Sequence, residues 1–195
     1  MMNFLAHIYL SDENEQVKIG NFIADSIKGN KYTHLPQGIQ KGIKLHREID
    51  SFTDAHPIVR KSKRRLHERY KHYDGVIIDI LYDHYLAKNW RLYSDIPLKE
   101  YTQEFYTVLE NNFDILPDKI KKLMPYMIHD DWLYNYGNFN GIEKVLQGMN
   151  RRTKNKSQMH MAIEDLKLHY TSLENDFTEF FNDLILFTNK KIKEF

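Results

Sequence analysis

The chain has 195 residues, of which 42% are hydrophobic and 28% charged, with a formal net charge of +1. That length suits a single domain with a sizeable core, and so small a net charge leaves no global field to draw nucleic acid or an anionic membrane. Cysteine is absent, which excludes disulfides and thiolate sites, so any metal must be held by His, Asp, Glu or Asn.

The opening MMNFLAHIYL carries no basic segment before its apolar run and no small-residue cleavage site, so a signal peptide is not expected. No apolar stretch approaches the roughly 18 residues that cross a bilayer. A cytoplasmic, non-membrane protein is the expectation, and His7 within the apolar run fits a buried terminal helix. Glycines (8) and prolines (5) are few and alternating runs are missing, which favours helices throughout.

In chain order the pattern predicts a short helix over 2–10 and a second from Glu13 to Lys28, before Gly29-Asn30. Gly20 in the second would let a neighbouring helix approach closely. A third starts near Pro36, a good first-turn residue, and ends before His56-Pro57. Pro57 opens a fourth reaching Tyr73, Asp74-Gly75 breaks it, and a fifth runs to Tyr93. Pro97 opens a sixth and Pro117 a seventh, which Pro125 would kink or split. A helix over Phe139–Asn150 follows. The last covers Ser157–Lys193, with Met159, Ile163, Leu166, Tyr170, Leu173, Phe177, Phe180, Leu184 and Phe187 stepping by three or four as a core stripe. The whole is expected to be all-α, one compact domain over residues 1–195 built as a bundle of about eight or nine helices.

The informative residues are polar groups on apolar faces. In the third helix Ile39 and Ile43 mark the inward side, and at about 100° per residue His46 and Asp50 fall on it, one turn apart. A buried carboxylate needs a partner or a cation, so this pair either bonds internally or to an Arg, or it holds a metal. In the fifth helix Asp79 and Asp83 share one edge of the apolar arc and His84 lies within it. Adjacent carboxylates repel unless a cation lies between them or one is protonated, although a helix-start role would account for Asp79 equally well. Asn21 and Asp25, one turn apart in the second helix, add a weaker signal. Two imidazoles and four carboxylates without matching inward Lys or Arg favour a divalent cation, and imidazole with carboxylate suits Mn, Fe, Zn or Mg.

The fourth helix carries a basic face. Arg60, Arg64, His67 and Lys71 step along the side away from its apolar residues, flanked by Lys61, Lys63 and Arg65, with Glu68 the acidic exception. A second cluster runs from Arg151-Arg152 to Lys156. Both read either as solvated faces or as docking ridges for an acidic or phosphate-bearing partner. No aromatic-glycine reader motif accompanies them, so nucleic acid is not expected.

Several blocks, MNFLAHIYL, GNFIAD, GIKLHREIDSFTDAHP, DILYDHYLAKNW and GMNRR, resemble in this order the acyl carrier protein phosphodiesterases. That resemblance implies an unusual, all-helical branch of the HD-type metal phosphohydrolases. It implies manganese dependence, with Mg, Fe or Zn as alternatives, and hydrolysis of the phosphodiester joining phosphopantetheine to the serine of holo acyl carrier protein. It points to His7, Asn21, Asp25, His46, Arg47, Asp50, Asp54, Asp79, Asp83 and His84. Of these, His7, Asn21 and Arg47 are expected in catalysis and Asp25, His46, Asp50, Asp79, Asp83 and His84 at metal. His7 or His46 would orient or protonate the leaving group, and Arg47 would neutralise phosphate charge. Arg60, Arg64, His67, Lys71, Arg151 and Arg152 would meet the acidic carrier. The acid–imidazole order at Asp83-His84 reverses the usual HD dipeptide, and the literal His129-Asp130 is read as a surface feature. A phosphohydrolase acting on a nucleotide or other small phosphodiester is the alternative, and a non-enzymatic module with a structural metal is a third reading. The number of acid and imidazole groups argues against the third, since a closed structural site needs about four ligands.

Overall fold

Helix boundaries in the computed structural model, which describes residues 4–195, follow local capping chemistry. Among the described residues there are eleven α-helices and no strand, so the all-α expectation holds. They are α1 (Phe4–Tyr9), α2 (Glu15–Ile23), α3 (Gln37–Ala55), α4 (Pro57–Tyr70), α5 (Asp74–Lys88) and α6 (Leu98–Asn111), then α7 (Asp118–His129), α8 (Trp132–Asn135), α9 (Phe139–Arg152), α10 (Ala162–Leu168) and α11 (Tyr170–Glu194). The Asn14 side chain starts α2 by accepting from the Gln16 and Val17 N–H groups at 3.0 and 3.2 Å, and Asn138 starts α9 by accepting from Gly141 at 2.8 Å. Such caps satisfy backbone donors that the helix itself leaves open.

The departures from expectation each have a local cause. The expected start of the first helix at residue 2 lies outside the described residues. The second helix ends at Ile23 and tightens into a 3-10 turn over Ala24–Ser26 before extended backbone at Ile27, which puts Asp25 at a helix end. Lys71 adopts a φ of +50° and stops α4. Asp74 and Gly75 then begin α5 rather than break it, and α5 gives way after Lys88 to a turn over Trp90–Leu92. Pro125 sits inside α7 without splitting it. The long final helix is divided at His169, although its stripe stays in the core: Met159, Ile163, Leu166, Leu173, Phe177, Phe180 and Leu184 are buried.

One hydrophobic cluster runs from Phe4 to Leu184. Its axis is α5, buried on every side from Ile77 to Ala87. Helix α1 lies against α2 and α5, while α11 packs over α3, α4 and α5. The tightest crossing is α2 on α3. A Cβ on Gly20 would stand 2.1 Å from the Ile39 carbonyl oxygen, and one on Gly42 would stand 2.2 Å from that of Val17. Both obstacles are backbone, so neither can step aside as a side chain would. The two glycines let α2 and α3 meet main chain to main chain, and this sets Asn21 directly beside His46.

Gly42→Ala should therefore force the helices apart and cost about 3 kcal/mol, at the upper end for overpacking a tight interior. Denaturant unfolding would read the loss, and an unchanged midpoint would show that the crossing can relax.

Candidate metal centre

Four elements meet at the site: α1 brings His7, α2 brings Asn21, the turn after α2 brings Asp25, and α3 brings His46 and Asp50. Asn21 is fully buried and organises the rest. Its Nδ2 donates to the His7 carbonyl oxygen at 2.9 Å and to Ser11 Oγ at 2.8 Å. A carbonyl oxygen only accepts, so the amide orientation is determined and Oδ1 faces the imidazoles. His7 Nδ1 donates to Asn21 Oδ1 at 2.6 Å. His46 Nδ1 donates to the Asn21 backbone oxygen at 2.8 Å and lies 3.2 Å from Oδ1. Both Nδ1 atoms must carry hydrogen, and in the neutral rings both lone pairs sit on Nε2.

Those Nε2 atoms are buried and make no hydrogen bond. The rings stack with centroids 4.1 Å apart and planes 20° from parallel, so their Nε2 edges face one set of carboxylates. His7 Nε2 is 3.4 Å from Asp50 Oδ1, and His46 Nε2 is 3.3 Å from Asp50 Oδ2 and 3.4 Å from Asp25 Oδ1. Donor atoms of His7, His46 and Asp50 all lie within 4.8 Å of one another, which makes the three a possible cation site. Asp25 adjoins it through His46. Two imidazole lone pairs fixed by oxygen acceptors, with carboxylate oxygens facing them, are a donor set that a divalent cation fits.

Electrostatics shows what holds the cluster without a cation. Burial pushes His7 below its ordinary pKa, and neighbouring His46 adds to this against the pull of Asp50. Burial would lower His46 as well, but Asp25 and Asp50 outweigh it and raise the imidazole to about 9. Burial would raise Asp50, but the facing His46 and His7 hold it well below the usual carboxylate range. One imidazolium, on His46, therefore bridges two carboxylates while His7 stays neutral.

The remaining expected residues are placed elsewhere. Asp83 accepts from the Leu5 and Ala6 N–H groups at 3.0 and 2.9 Å, so both of its oxygens cap the start of α1; burial pushes this carboxyl up to about 8. His84 has Nδ1 on the Tyr136 carbonyl oxygen at 2.8 Å and Nε2 on the Tyr170 hydroxyl at 2.9 Å. Both of its nitrogens are engaged on the far side of α5. Their expected convergence with His46 requires α5 to have one inner face; buried all round, it has several. Asp79 stands between the two outcomes. It is buried, its Oδ2 has no hydrogen-bond partner, and burial followed by the charge of Asp50 pushes its carboxyl well above the usual range.

Arg47 donates to the Gly29 carbonyl oxygen at 2.5 Å and lies 5.0 Å above the Tyr32 ring, so it tethers the segment between α2 and α3. On α4, Lys61 and Arg65 reach Asp176 at 2.8 and 2.5 Å, Arg69 reaches Asp165 at 2.9 Å, and His67 reaches Asp74 at 2.7 Å. Arg60, Arg64 and Lys71 are exposed, with no ion pair among the described residues. His129 and Asp130 are exposed and pair with each other at 2.7 Å. Arg152 lines a cleft of 540 Å³ that also contains Asp25, with Lys119 and Lys122 on its rim and Tyr126 and Trp132 on its walls. Lys119, Lys122, Tyr126 and Trp132 are not among the expected site residues, since their only signal in the sequence is aromatic and basic residues in a segment outside the family blocks.

Residues 2–184 match the family model described as acyl carrier protein phosphodiesterase. The chain belongs to this family. An acyl carrier protein phosphodiesterase of Escherichia coli O6:H1 is 32% identical over 185 residues, covering 92% of this chain and 94% of its own. Relatives of the same description from Pectobacterium atrosepticum and Photorhabdus laumondii are 30% and 29% identical over 181 residues, again covering 92% of this chain. Within the family, this chain therefore aligns along nearly its whole length. No solved structure matches the fold. No described helix is long and apolar enough to cross a membrane.

The raised imidazole gives a signed expectation for the metal-free protein. Its contribution to stability is fully present below the unfolded value near 6.5 and is lost as pH rises through about 9. Stability should fall across that window by up to roughly 3 kcal/mol, and His46→Gln should flatten the profile. Urea midpoints at pH 6.5, 7.5 and 9 would check it, and a rising midpoint would contradict the pairing.

Proposed function

We propose that the chain is a metal-dependent phosphodiesterase that releases phosphopantetheine from holo acyl carrier protein. The observation that carries this reading is the pair of buried, unbonded Nε2 atoms of His7 and His46 facing Asp50, in a chain whose relatives bear the name acyl carrier protein phosphodiesterase. In the reaction the oxygen of water bonds to phosphorus, the bond from phosphorus to the serine oxygen breaks, and the serine oxygen takes a proton. The products are apo carrier protein and phosphopantetheine.

His7, His46 and Asp50 would hold the cation, with Asp25 beside them. When bound, it supplies Lewis acidity that stabilises charge on the phosphate and lowers the pKa of water. With both Nε2 atoms given to it, neither imidazole remains to protonate the serine oxygen, so His7 is assigned to holding metal rather than to acid catalysis. Asn21 fixes both rings from behind, the role that carbonyl and carboxylate partners play at histidine metal sites. Arg47 acts by holding the segment after Asp25, and Asp79, kept toward its neutral acid by burial and by the charge of Asp50, is left out of the donor set. Manganese is the metal we expect. The relation to HD-type phosphohydrolases rests on the helical fold and the His/Asp donor set, and the chain is read as one cytoplasmic domain.

Acyl carrier proteins are acidic, so a basic surface near the site would guide them. Several cations of α4 pair with Asp176, Asp165, Asp54 and Asp74, and no α4 residue lines the cleft that Arg152 shares with Asp25. The α9 cluster is therefore assigned the larger part in docking. Arg151→Glu should raise the KM for holo carrier protein more than Arg64→Glu does; the reverse ranking would return the docking surface to α4.

Incubation with Mn²⁺ and holo carrier protein should yield a carrier lighter by one phosphopantetheinyl group, read by mass spectrometry. Asp50→Ala should lower kcat on the order of a thousandfold, the effect of several kcal/mol of lost charge stabilisation. An intact arm with every divalent cation tried would refute the assignment.

A further inference from the structure

The cleft that contains Asp25 extends well beyond it. Phe4, Phe22 and Ile120 form its buried apolar floor, and Tyr126 and Trp132 stand along it. A second cavity of 270 Å³ adjoins the first and shares Asp130, Trp132 and Arg152 with it. It follows α9 past Lys144, Val145 and Gly148. Taken together they are a trench running from Asp25, which lies 3.4 Å from His46, to α9. Apart from Asp25 and the docking arginines Arg151 and Arg152, the function proposed above uses none of these walls.

Gly148 supplies an independent observation. It lies inside α9, where glycine costs about 1 kcal/mol relative to alanine. Packing does not require it: a Cβ there would meet only Arg151 Nη2, at 3.9 Å. This contrasts with Gly20, Gly42 and Gly141, whose Cβ atoms would collide with backbone. What the absent side chain at Gly148 leaves open is the second cavity.

We propose that this trench seats the pantetheine arm of the substrate, with the phosphodiester beside Asp25 and the thiol end along α9; the proposal rests on the phosphodiesterase reading above. A cluster of imidazoles and carboxylates can bind a phosphate but recognises nothing of what the phosphate is attached to. The arm is uncharged, with a branched dimethyl segment next to its phosphate and two amides farther out. The cavity with Asp25 has the aromatic floor, and the second adds polar and basic groups at Asn135, Lys144 and Arg151. Its first cavity, at 540 Å³, lies within the roughly 300–1,000 Å³ typical of small-molecule sites.

Gly148→Leu fills the second cavity with a residue that favours helix, and Tyr126→Ala removes a side chain that is already 67% exposed, so both should fold. Each is expected to raise the KM for holo carrier protein about tenfold, the usual effect of losing a good contact in a recognition site, while turnover of bis(4-nitrophenyl) phosphate, which has no arm, stays unchanged. Equal effects on both substrates, or none on either, would overturn the proposal and leave the phosphodiesterase reading intact. Binding is read separately by titrating 4′-phosphopantetheine and inorganic phosphate against the tryptophan fluorescence of the unsubstituted protein, to which Trp132 in the trench and the buried Trp90 contribute. Tighter binding of 4′-phosphopantetheine, weakened by Gly148→Leu, supports the trench even if the carrier is not hydrolysed. Equal affinity for the two would overturn it.

Discussion

The Asn21 side chain is the hinge of the site. Its amide satisfies a carbonyl of α1, accepts from an imidazole of α1, and belongs to a residue whose backbone accepts from an imidazole of α3. Three helices are thereby locked in register by one buried amide, and both histidines are left in a single tautomer. The glycine crossing makes this possible, because Asn21 reaches α3 only where α2 and α3 touch main chain to main chain. Had either helix carried an ordinary side chain there, the same donors would stand too far apart to share a cation.

Two kinds of buried charge coexist in the core. In the cluster of Asp25, Asp50 and His46 one imidazolium faces two carboxylates, so its groups stay charged with opposite signs and leave one negative charge over. Asp79 and Asp83 have no such partner, and burial drives both toward the neutral acid. Asp83 offsets part of that cost by accepting two backbone hydrogen bonds at the start of α1, where the helix dipole also favours negative charge. The same residue type thus serves as a charged donor at one point and as a structural cap at another, and the difference lies wholly in what faces it.

Much of this was legible in the sequence, for reasons that also explain what was not. His46 and Asp50 share a face of an amphipathic helix, so periodicity alone brought them together. Asp83 and His84 were misplaced by the same reasoning, because α5 is enclosed on all sides and its polar residues can point to any neighbour. His7 sits in a run too short and too apolar for periodicity to mark, and it entered through resemblance to a family. The division at His169 is hidden because the apolar stripe continues across it. The basic face of α4 looked uncommitted since its acidic partners Asp165 and Asp176 lie roughly a hundred residues away in sequence, where no local pattern links them.

The anchoring of α1 by Asp83 bears on how residues in such a centre come to be labelled. His7 directly follows the two residues, Leu5 and Ala6, whose N–H groups Asp83 holds, so a substitution at Asp83 would move a donor without removing one. A survey scored by turnover would place Asp83 beside His46 and Asp50, and only the stoichiometry of bound cation would separate them. In this fold the list of residues whose loss would disturb the cluster is longer than the list of those whose donor atoms meet in it, and the surplus lies along the helix that carries His7.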